Sequence, residues 1–340
     1  MRYREAGVDI ERADRALKSL GETIRSTFTP WVRGDVGHFA GLIEVPGSSP
    51  DTPLLAASTD GVGTKLLIAR DTKRYAGVAG DLVRHCVNDI LVLGATPLFF
   101  LDYFACGRLD PFVLTESVRG IAEACRADGL ALLGGETAEM PDLYPEGDYD
   151  LAGTIVGTVR REKVVDGRDI RPGDELWALP SAGLHTNGYS LARRIVTRAG
   201  LSWNDPMPGA DGTVADVLLL PHRSYRAVLG APLEAGAIAG LAHVTGGGIP
   251  GNLVRVLPEG TRARVERASW SWPAVFRALA TLGEVERDEM ESVMNLGVGM
   301  ILVLHPERVA VVREGLEAAG EKPWRLGTIE AGPREVRMIG

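Results

Sequence analysis

The sequence predicts an α/β protein built as two units of similar size, and three observations predict it. Strand-like apolar runs alternate with helix-period segments in both halves of the chain. A polar stretch over residues 160–174, with a Pro172-Gly173-Asp174 turn, separates the halves and puts the domains at 1–170 and 171–340. The 340 residues, 45% apolar and 24% charged, suffice to bury two cores of ordinary size.

Asp9 stands where a cap belongs, ahead of apolar residues at helical spacing: Ile10, Ala13, Leu17, Leu20 and Ile24. Residues 33–50 are rich in Gly and Pro and read as a loop. A strand is expected over 54–59 and a helix over 77–93, followed by a strand over 98–105 and a helix over 111–127. A short apolar strand over 130–133 should run into a Gly134-Gly135-Glu136 loop, and another strand covers 151–159. The second half resumes with a strand over 176–179 and a helix from Tyr189. A strand over 241–244, a glycine loop and a short helix come next. A strand over 299–304, a helix over 306–319 and a strand over 324–329 complete it.

Composition excludes several function classes. A net charge of −8 argues against nucleic-acid and membrane-surface binding, both of which draw on basic patches. An acidic chain can still hold phosphates through backbone N–H groups, a few placed cations or a bridging metal ion. The 42 glycines cluster in loops that could make such an approach. Cys86, Cys106 and Cys125 form no CxxC pair, which suits a reducing cytosol and no disulfide framework or zinc site. The N-terminus carries charges where a signal peptide needs an apolar run. The apolar stretch over 90–101 is broken by Gly94 and Pro97, so no membrane span is expected and the protein reads as cytoplasmic.

Five segments carry residues suited to chemistry. In Thr59-Asp60-Gly61-Val62-Gly63-Thr64-Lys65, a carboxylate suited to Mg²⁺ precedes two turn glycines, a hydroxyl and a phosphate-seeking lysine. On spacing alone, an ordinary Asp-Gly turn is the stronger reading. Asp81, His85 and Asn88 share one face of the next helix with Asp89 adjacent, short polar groups that suit a lined cleft. In the third segment, Gly134 and Gly135 lead to Glu136 at a strand end, where ligands gather in α/β folds. Asp60, Asp89 and Glu136 together fit a Mg–nucleotide site. Fourth, Ser181 to Ser190 forms a loop before a helix, in which His185 is as readily structural as catalytic. Fifth, Thr245-Gly246-Gly247-Gly248 follows a strand, and Gly246, Gly248 and Gly251 satisfy a dinucleotide fingerprint. Pro258 and Gly260 leave the following helix about two turns, too short for a dinucleotide crossover, so the loop is read as a phosphate cradle.

Taken in order, these runs resemble the phosphoribosylformylglycinamidine cyclo-ligases (aminoimidazole ribonucleotide synthetases). The resemblance is carried by Thr59 to Lys65, Gly80-Asp-Leu-Val83, Val87-Asn-Asp-Ile90, Phe99-Phe-Leu-Asp-Tyr103, Gly134-Gly-Glu-Thr-Ala-Glu-Met-Pro141, His185-Thr-Asn-Gly-Tyr-Ser190, His243-Val-Thr-Gly-Gly-Gly248 and Asn295-Leu-Gly-Val-Gly-Met300. The opening Tyr3-Arg-Glu-Ala-Gly-Val-Asp9 is similar too, and the segment from Gly34 to Phe39 departs from the family pattern in carrying fewer glycines. The resemblance implies two α/β (α+β) domains, each a mixed sheet packed with helices, the N-terminal one pairing in a homodimer. It implies that ATP phosphorylates the formyl oxygen of formylglycinamidine ribonucleotide, after which ring closure releases phosphate. Related thiamine-monophosphate kinases and selenophosphate synthetases share the acidic cleft but lack the combined His-Thr-Asn-Gly and Thr-Gly-Gly-Gly runs. Motifs and resemblance together assign His185, Lys65 and Asn187 to catalysis and Asp60, Asp89 and Glu136 to Mg²⁺. They assign ATP and phosphate to Asp60, Gly61, Gly63, Thr64, Lys65, Asp81, Gly134, Gly135, Thr245, Gly246, Gly247 and Gly248.

Overall fold

Two six-stranded sheets, each with its own helices, make up the chain. The structure is a computed structural model describing residues 1–340, leaving aside the side chains of residues 10, 11, 14, 17 and 18. The N-terminal helix forms as α1 (Ile10–Ser19) and α2 (Gly21–Arg25). Asp9 caps it as expected, its Oδ1 accepting the Arg12 N–H at 2.9 Å. The expected apolar contacts of Ile10 and Leu17 lie outside the described side chains, and Leu20 and Ile24 are exposed.

The first sheet holds β1 (Val32–Arg33), β2 (Gly41–Ile43), β3 (Leu54–Gly61), β4 (Thr96–Cys106), β5 (Ala131–Glu139) and β6 (Tyr149–Val159), in the order β1-β2-β3-β6-β4-β5. All pairs are antiparallel except β4 with β5. Helices α3 (Lys65–Thr72), α4 (Tyr75–Leu91) and α5 (Pro111–Ala127) belong to this domain. Its core is a cluster that includes Leu82, Val83, Cys86 and Ile90 of α4 with Phe100, Phe104, Leu151 and Ile155 of the sheet. The alternation along β6, buried at every second residue, is that of a sheet with one face packed and the other more open.

Two expectations change here. Residues 33–50 are not all loop, because β1 and β2 extend the sheet beyond β3; strands of two and three residues are too short for a periodic pattern to register. The Gly134-Gly135-Glu136 segment is not a loop after a strand. It is the middle of β5, paired in parallel with β4 as far as Cys106 and Glu139. Gly135 is there for close packing, since a Cβ at that position would overlap Asp102 across the ladder.

The second sheet holds β7 (Glu175–Pro180), β8 (Gly240–His243), β9 (Thr261–Glu266), β10 (Val298–Leu304), β11 (Trp324–Ala331) and β12 (Glu335–Ile339), in the order β12-β9-β11-β7-β10-β8. Only β12 and β9 run parallel. Its helices are α6 (Tyr189–Arg198), α7 (Val214–Leu218), α8 (Arg226–Glu234), α9 (Gly248–Leu253), α10 (Ala274–Gly283), α11 (Arg287–Val293) and α12 (Pro306–Ala318). β10 is buried at all seven positions, which explains its unbroken apolar sequence. Both domains are therefore mixed sheets with helices. Among the described residues, no helix is long and apolar enough to cross a membrane.

Candidate active site at the domain seam

Helix α4 is the seam between the domains. Asp81, His85, Asn88 and Asp89 are all buried, and most of their partners come from the second half of the chain. The Asp81 Oδ1 accepts the His222 N–H at 2.7 Å. The Asn88 amide donates to the Arg223 carbonyl at 2.8 Å and accepts the Tyr225 N–H at 3.0 Å. The short polar face read as a lined cleft is thus lined by the loop before α8.

Four histidines meet on this seam. His85 Nε2 lies 2.8 Å from Asp60 Oδ2 and 3.7 Å from Asp89 Oδ2. Its Nδ1 lies 2.5 Å from the Thr186 hydroxyl. His243 Nδ1 reaches Asp89 Oδ1 at 2.8 Å, and its Nε2 faces His222 Nε2 at 3.1 Å. His185 stacks on His222 with ring centroids 4.0 Å apart. Burial opposes charge on His85, but Asp60 and Asp89 outweigh it and raise its pKa to about 9. Burial drives His185 and His222 well below the ordinary histidine value, with neighbouring positive charges adding to the effect. His243 is lowered by burial despite Asp89. Burial would raise Asp60, but His85 outweighs it and leaves its pKa below the ordinary value.

Lys65 has a different setting from the one its motif suggests. Its ammonium is fully buried and bonds Asp81 Oδ2 at 2.6 Å, the His185 carbonyl at 2.9 Å and the Leu220 carbonyl at 3.0 Å. An ammonium has three hydrogens, so this set leaves none for a phosphate. His185 adopts φ +61°, a left-handed conformation uncommon outside glycine, and its carbonyl receives Lys65. Thr64 shares the seam, its hydroxyl 3.0 Å from that of Ser190.

At the seam, the buried N–H donors of His185 and Asn187 stand without a partner. The Ala182 N–H donates to His185 Nε2 at 3.2 Å, which puts the ring proton on Nδ1, and Nδ1 has no acceptor. Asn187 Nδ2 has none either. A Cβ at Gly246 would lie 3.1 Å from Asn187 Oδ1, so Asn187 flanks the glycine loop. Asn252 fixes that loop by donating to the carbonyls of Thr245, Gly246 and Gly248 at 3.2, 3.2 and 2.7 Å. An unpartnered Asn187 donor beside a braced glycine loop suits an anionic ligand.

The structure brings together Asp60, Asp89, His185, Asn187 and the Thr245 to Gly248 loop, with Gly61 ending β3 and Gly63, at φ +69°, turning the chain toward α3. It does not bring Glu136 to them. Asp60 turns toward His85 on α4, in register with Gly153, Asp102 and Gly135 across the sheet. Glu136 is one residue further along β5, hence on the opposite face. It is also three strands away, about 14 Å at ordinary strand spacing. Gly134 lies on that outer face and Gly135 in the ladder, both remote from Asp60. His222 escaped the sequence reading because a lone histidine after a proline carries no spacing signal. His243 was visible only as part of a motif.

The chain matches the family described as AIR synthase related protein, N-terminal domain, over residues 37–159 and its C-terminal domain over residues 171–340. It is 48% identical over 338 residues to a phosphoribosylformylglycinamidine cyclo-ligase of Myxococcus xanthus, covering 99% of this chain and 98% of that one. A protein of the same name from Sorangium cellulosum is 48% identical over 330 residues, covering 96% and 94%. The fold resembles thiamine-monophosphate kinase from Stenotrophomonas maltophilia, with a TM-score of 0.65, 18% identity and 94% of each chain covered. It also resembles hydrogenase maturation protein HypE in complex with ATP, with a TM-score of 0.62, 21% identity, and 87% of this chain and 83% of that one covered.

Proposed function

This chain belongs to the phosphoribosylformylglycinamidine cyclo-ligase family, and we propose that it closes the imidazole ring of aminoimidazole ribonucleotide at the seam between its domains, with ATP as the activating substrate. It is a ligase of purine biosynthesis. The γ-phosphoryl group of ATP passes to the formyl oxygen of formylglycinamidine ribonucleotide. The ribose-linked nitrogen then attacks the formyl carbon, and phosphate leaves with the former formyl oxygen. ADP, phosphate and the aminoimidazole are released in equal amounts.

The observation that carries this reading is the meeting of the Asp60–Asp89 pair with His185, Asn187 and the Thr245 to Gly248 loop at one seam. Residues 1–170 supply the carboxylates and residues 171–340 supply the donors and the loop. Asp60 and Asp89 would hold a divalent cation such as Mg²⁺, which when bound offsets charge between carboxylates and phosphates. His185 Nδ1–H and Asn187 Nδ2–H donate to the anionic oxygens that develop on the formyl and phosphoryl groups. Neutral His185 serves as a donor, because burial keeps its imidazole uncharged. Lys65 positions the His185 carbonyl and loop without touching a phosphate. The open face of the first sheet, where Leu98, Leu101 and Leu133 are exposed, would pair two copies into a homodimer. The setting proposed for the enzyme is the cytoplasm.

The test is incubation with formylglycinamidine ribonucleotide, ATP and Mg²⁺, following the aminoimidazole product and ADP together. One ADP per ring closed is expected. Product without nucleotide, or nucleotide consumption without ring closure, would overturn the reading.

A further inference from the structure

On a chain of net charge −8, one cavity is lined by five arginines and only two aspartates. It holds about 690 Å³, within the range of small-molecule sites. Arg33, Arg161 and Arg168 come from the first domain, and Arg255 and Arg334 from the second. Leu42, Leu54, Leu93 and Val164 give it an apolar wall. It lies apart from the candidate active site. Leu54 opens β3, and Asp60 is six residues further along that strand, about 20 Å at ordinary strand rise. Arg255 follows α9 at the end away from the Thr245 to Gly248 loop.

The arginines are held in place without exhausting their donors. Glu44 accepts from Arg33 Nε at 2.7 Å and from Arg161 Nη1, and so fixes both. The carbonyls of Pro30 and Val32 take Arg33 Nη1 at 2.8 and 3.1 Å, and that of Pro50 takes Arg161 Nε at 3.1 Å. A guanidinium has five N–H donors, so Nη2 of each remains for a ligand. Arg334 is fixed in the same way by the Val254 and Arg255 carbonyls, both at 3.1 Å. Of the two aspartates, Asp166 is paired with Arg168 at 2.9 Å, and Asp35 with Arg25, from outside the lining, at 2.7 Å. Positive charge is therefore left in excess around the cavity.

His38 adds an unmet hydrogen-bonding group to the same lining. Both of its ring nitrogens are buried and neither has a partner. Burial lowers its pKa to about 4, against the pull of Asp166, so the ring is neutral and offers one N–H and one lone pair. The ring meets Phe39 edge-on at 5.8 Å, and the Arg255 guanidinium stands over that phenyl ring at 5.0 Å. A buried imidazole with both nitrogens idle is costly until a ligand meets them. His38 belongs to the segment from Gly34 to Phe39, where the chain departs from the family pattern.

We propose that this interdomain cavity is a second ligand site, for a nucleoside monophosphate, with the phosphate on the arginines, the base against the leucine wall and His38 bonded to the base edge. A phosphate matches the planar fork of a guanidinium. A nucleobase has a flat face for the apolar wall and an edge with both donors and acceptors for a neutral imidazole. The site is separate from the seam at which ring closure is placed.

The experiment is calorimetric titration of the full chain, in chelator, with AMP and with UMP. At least one should bind, and more weakly as salt is raised. Adenosine, uridine and inorganic phosphate, each of which meets only part of the site, should bind less well than the nucleotides. His38→Leu and, separately, Arg33→Gln should lose about tenfold or more in affinity for the nucleotide. Gly246→Ala, at the seam, should bind it as the wild type does. The Arg33 side chain is 41% exposed, so its variant keeps the comparison open if His38→Leu fails to fold. No binding of either nucleotide to the wild type overturns the inference. So does unchanged affinity in a folded His38→Leu or Arg33→Gln protein. Binding lost in Gly246→Ala and kept in the other two places the nucleotide at the seam and overturns it as well.

Discussion

Lys65 Nζ lies 2.6 Å from Asp81 Oδ2 with neither side chain exposed, and the remaining bonds of that ammonium cross to the second domain at His185 and Leu220. Burial works against the charge on Lys65, but Asp81 outweighs it and keeps its pKa above the ordinary lysine value. Lys65→Met would strand a buried carboxylate, at a cost of about 3–5 kcal/mol. Asp81→Asn should be costly in the same sense. The double variant should be less destabilised than the two single effects summed, because neither charge is then left alone. Denaturant unfolding of the four proteins checks this. Additive losses would mean that the pair does not act as a unit.

Asp60→Asn removes one negative charge at the exposed edge of the carboxylate–histidine cluster with little change of shape. Ring closure should slow on the order of a hundredfold or more, as expected for loss of one transition-state electrostatic contact. Folding should survive, since the residue is part-exposed and not packed in a core. The readout is ATP-dependent turnover across a metal titration. An unchanged rate and metal requirement would leave Asp60 only its structural place in β3.

The glycine loop separates ligand effects from folding effects. A Cβ on Gly248 would overlap the Glu291 carbonyl, and its φ of +61° disfavours any side chain. Gly248→Ala should therefore lower the melting temperature. Gly247, at φ +95°, is also strained by substitution, so Gly247→Val loses stability as well as binding, by about 1–3 kcal/mol. Gly246 is the cleaner probe. Its φ is ordinary, and the added Cβ would press on Asn187 Oδ1 at 3.1 Å. Gly246→Ala should keep its melting temperature and lose turnover; the reverse pattern would make the loop structural only.

Much of this was legible in the sequence where periodicity is long. The helix over 111–127 and the strands near 54–61, 96–106 and 149–159 are the expected ones in outline. What failed was local. Gly134-Gly135 reads as a loop because glycine ends strands, yet here the Asp102 side chain across the ladder leaves room for nothing larger than glycine at 135. Lys65 reads as a phosphate ligand because its partner Asp81 is 16 residues away and the carbonyls of His185 and Leu220 are much further. Glu136 was grouped with Asp60 because both were expected to follow strands, but it lies within β5, and alternation along that strand sends it to the other face of the sheet.

The outer face of the first sheet gives a prediction on assembly. Leu133 is 64% exposed and Leu98 and Leu101 are exposed as well, with the Thr59–Thr154 hydroxyl pair between strands on the same side. Leu133→Glu would place a charge in a paired apolar face. Sedimentation should show dimer for the wild type and monomer for the variant. A monomeric wild type, or an unaltered dimer in the variant, would locate the assembly face elsewhere.

Stability should peak near neutral pH when the protein is held free of metal by a chelator. His85 has its folded pKa raised to about 9 from an ordinary 6.5. A raised value means that its charge stabilises the fold fully below 6.5, and that this contribution is lost as pH rises through about 9. His185, His222 and His243 are shifted the other way, chiefly by burial. Their contribution is present above 6.5 and lost as pH falls, because protons then bind the unfolded chain more readily than the buried rings. Melting temperatures should therefore fall on both sides, by separate causes. His85→Gln isolates one of them. It removes the group that loses its proton near pH 9, so the alkaline fall should flatten while the acid fall remains. Thermal melts from pH 5 to pH 10 in chelator read both limbs. An alkaline slope identical in wild type and variant would show that the Asp60–His85–Asp89 contact contributes nothing to stability in the metal-free protein.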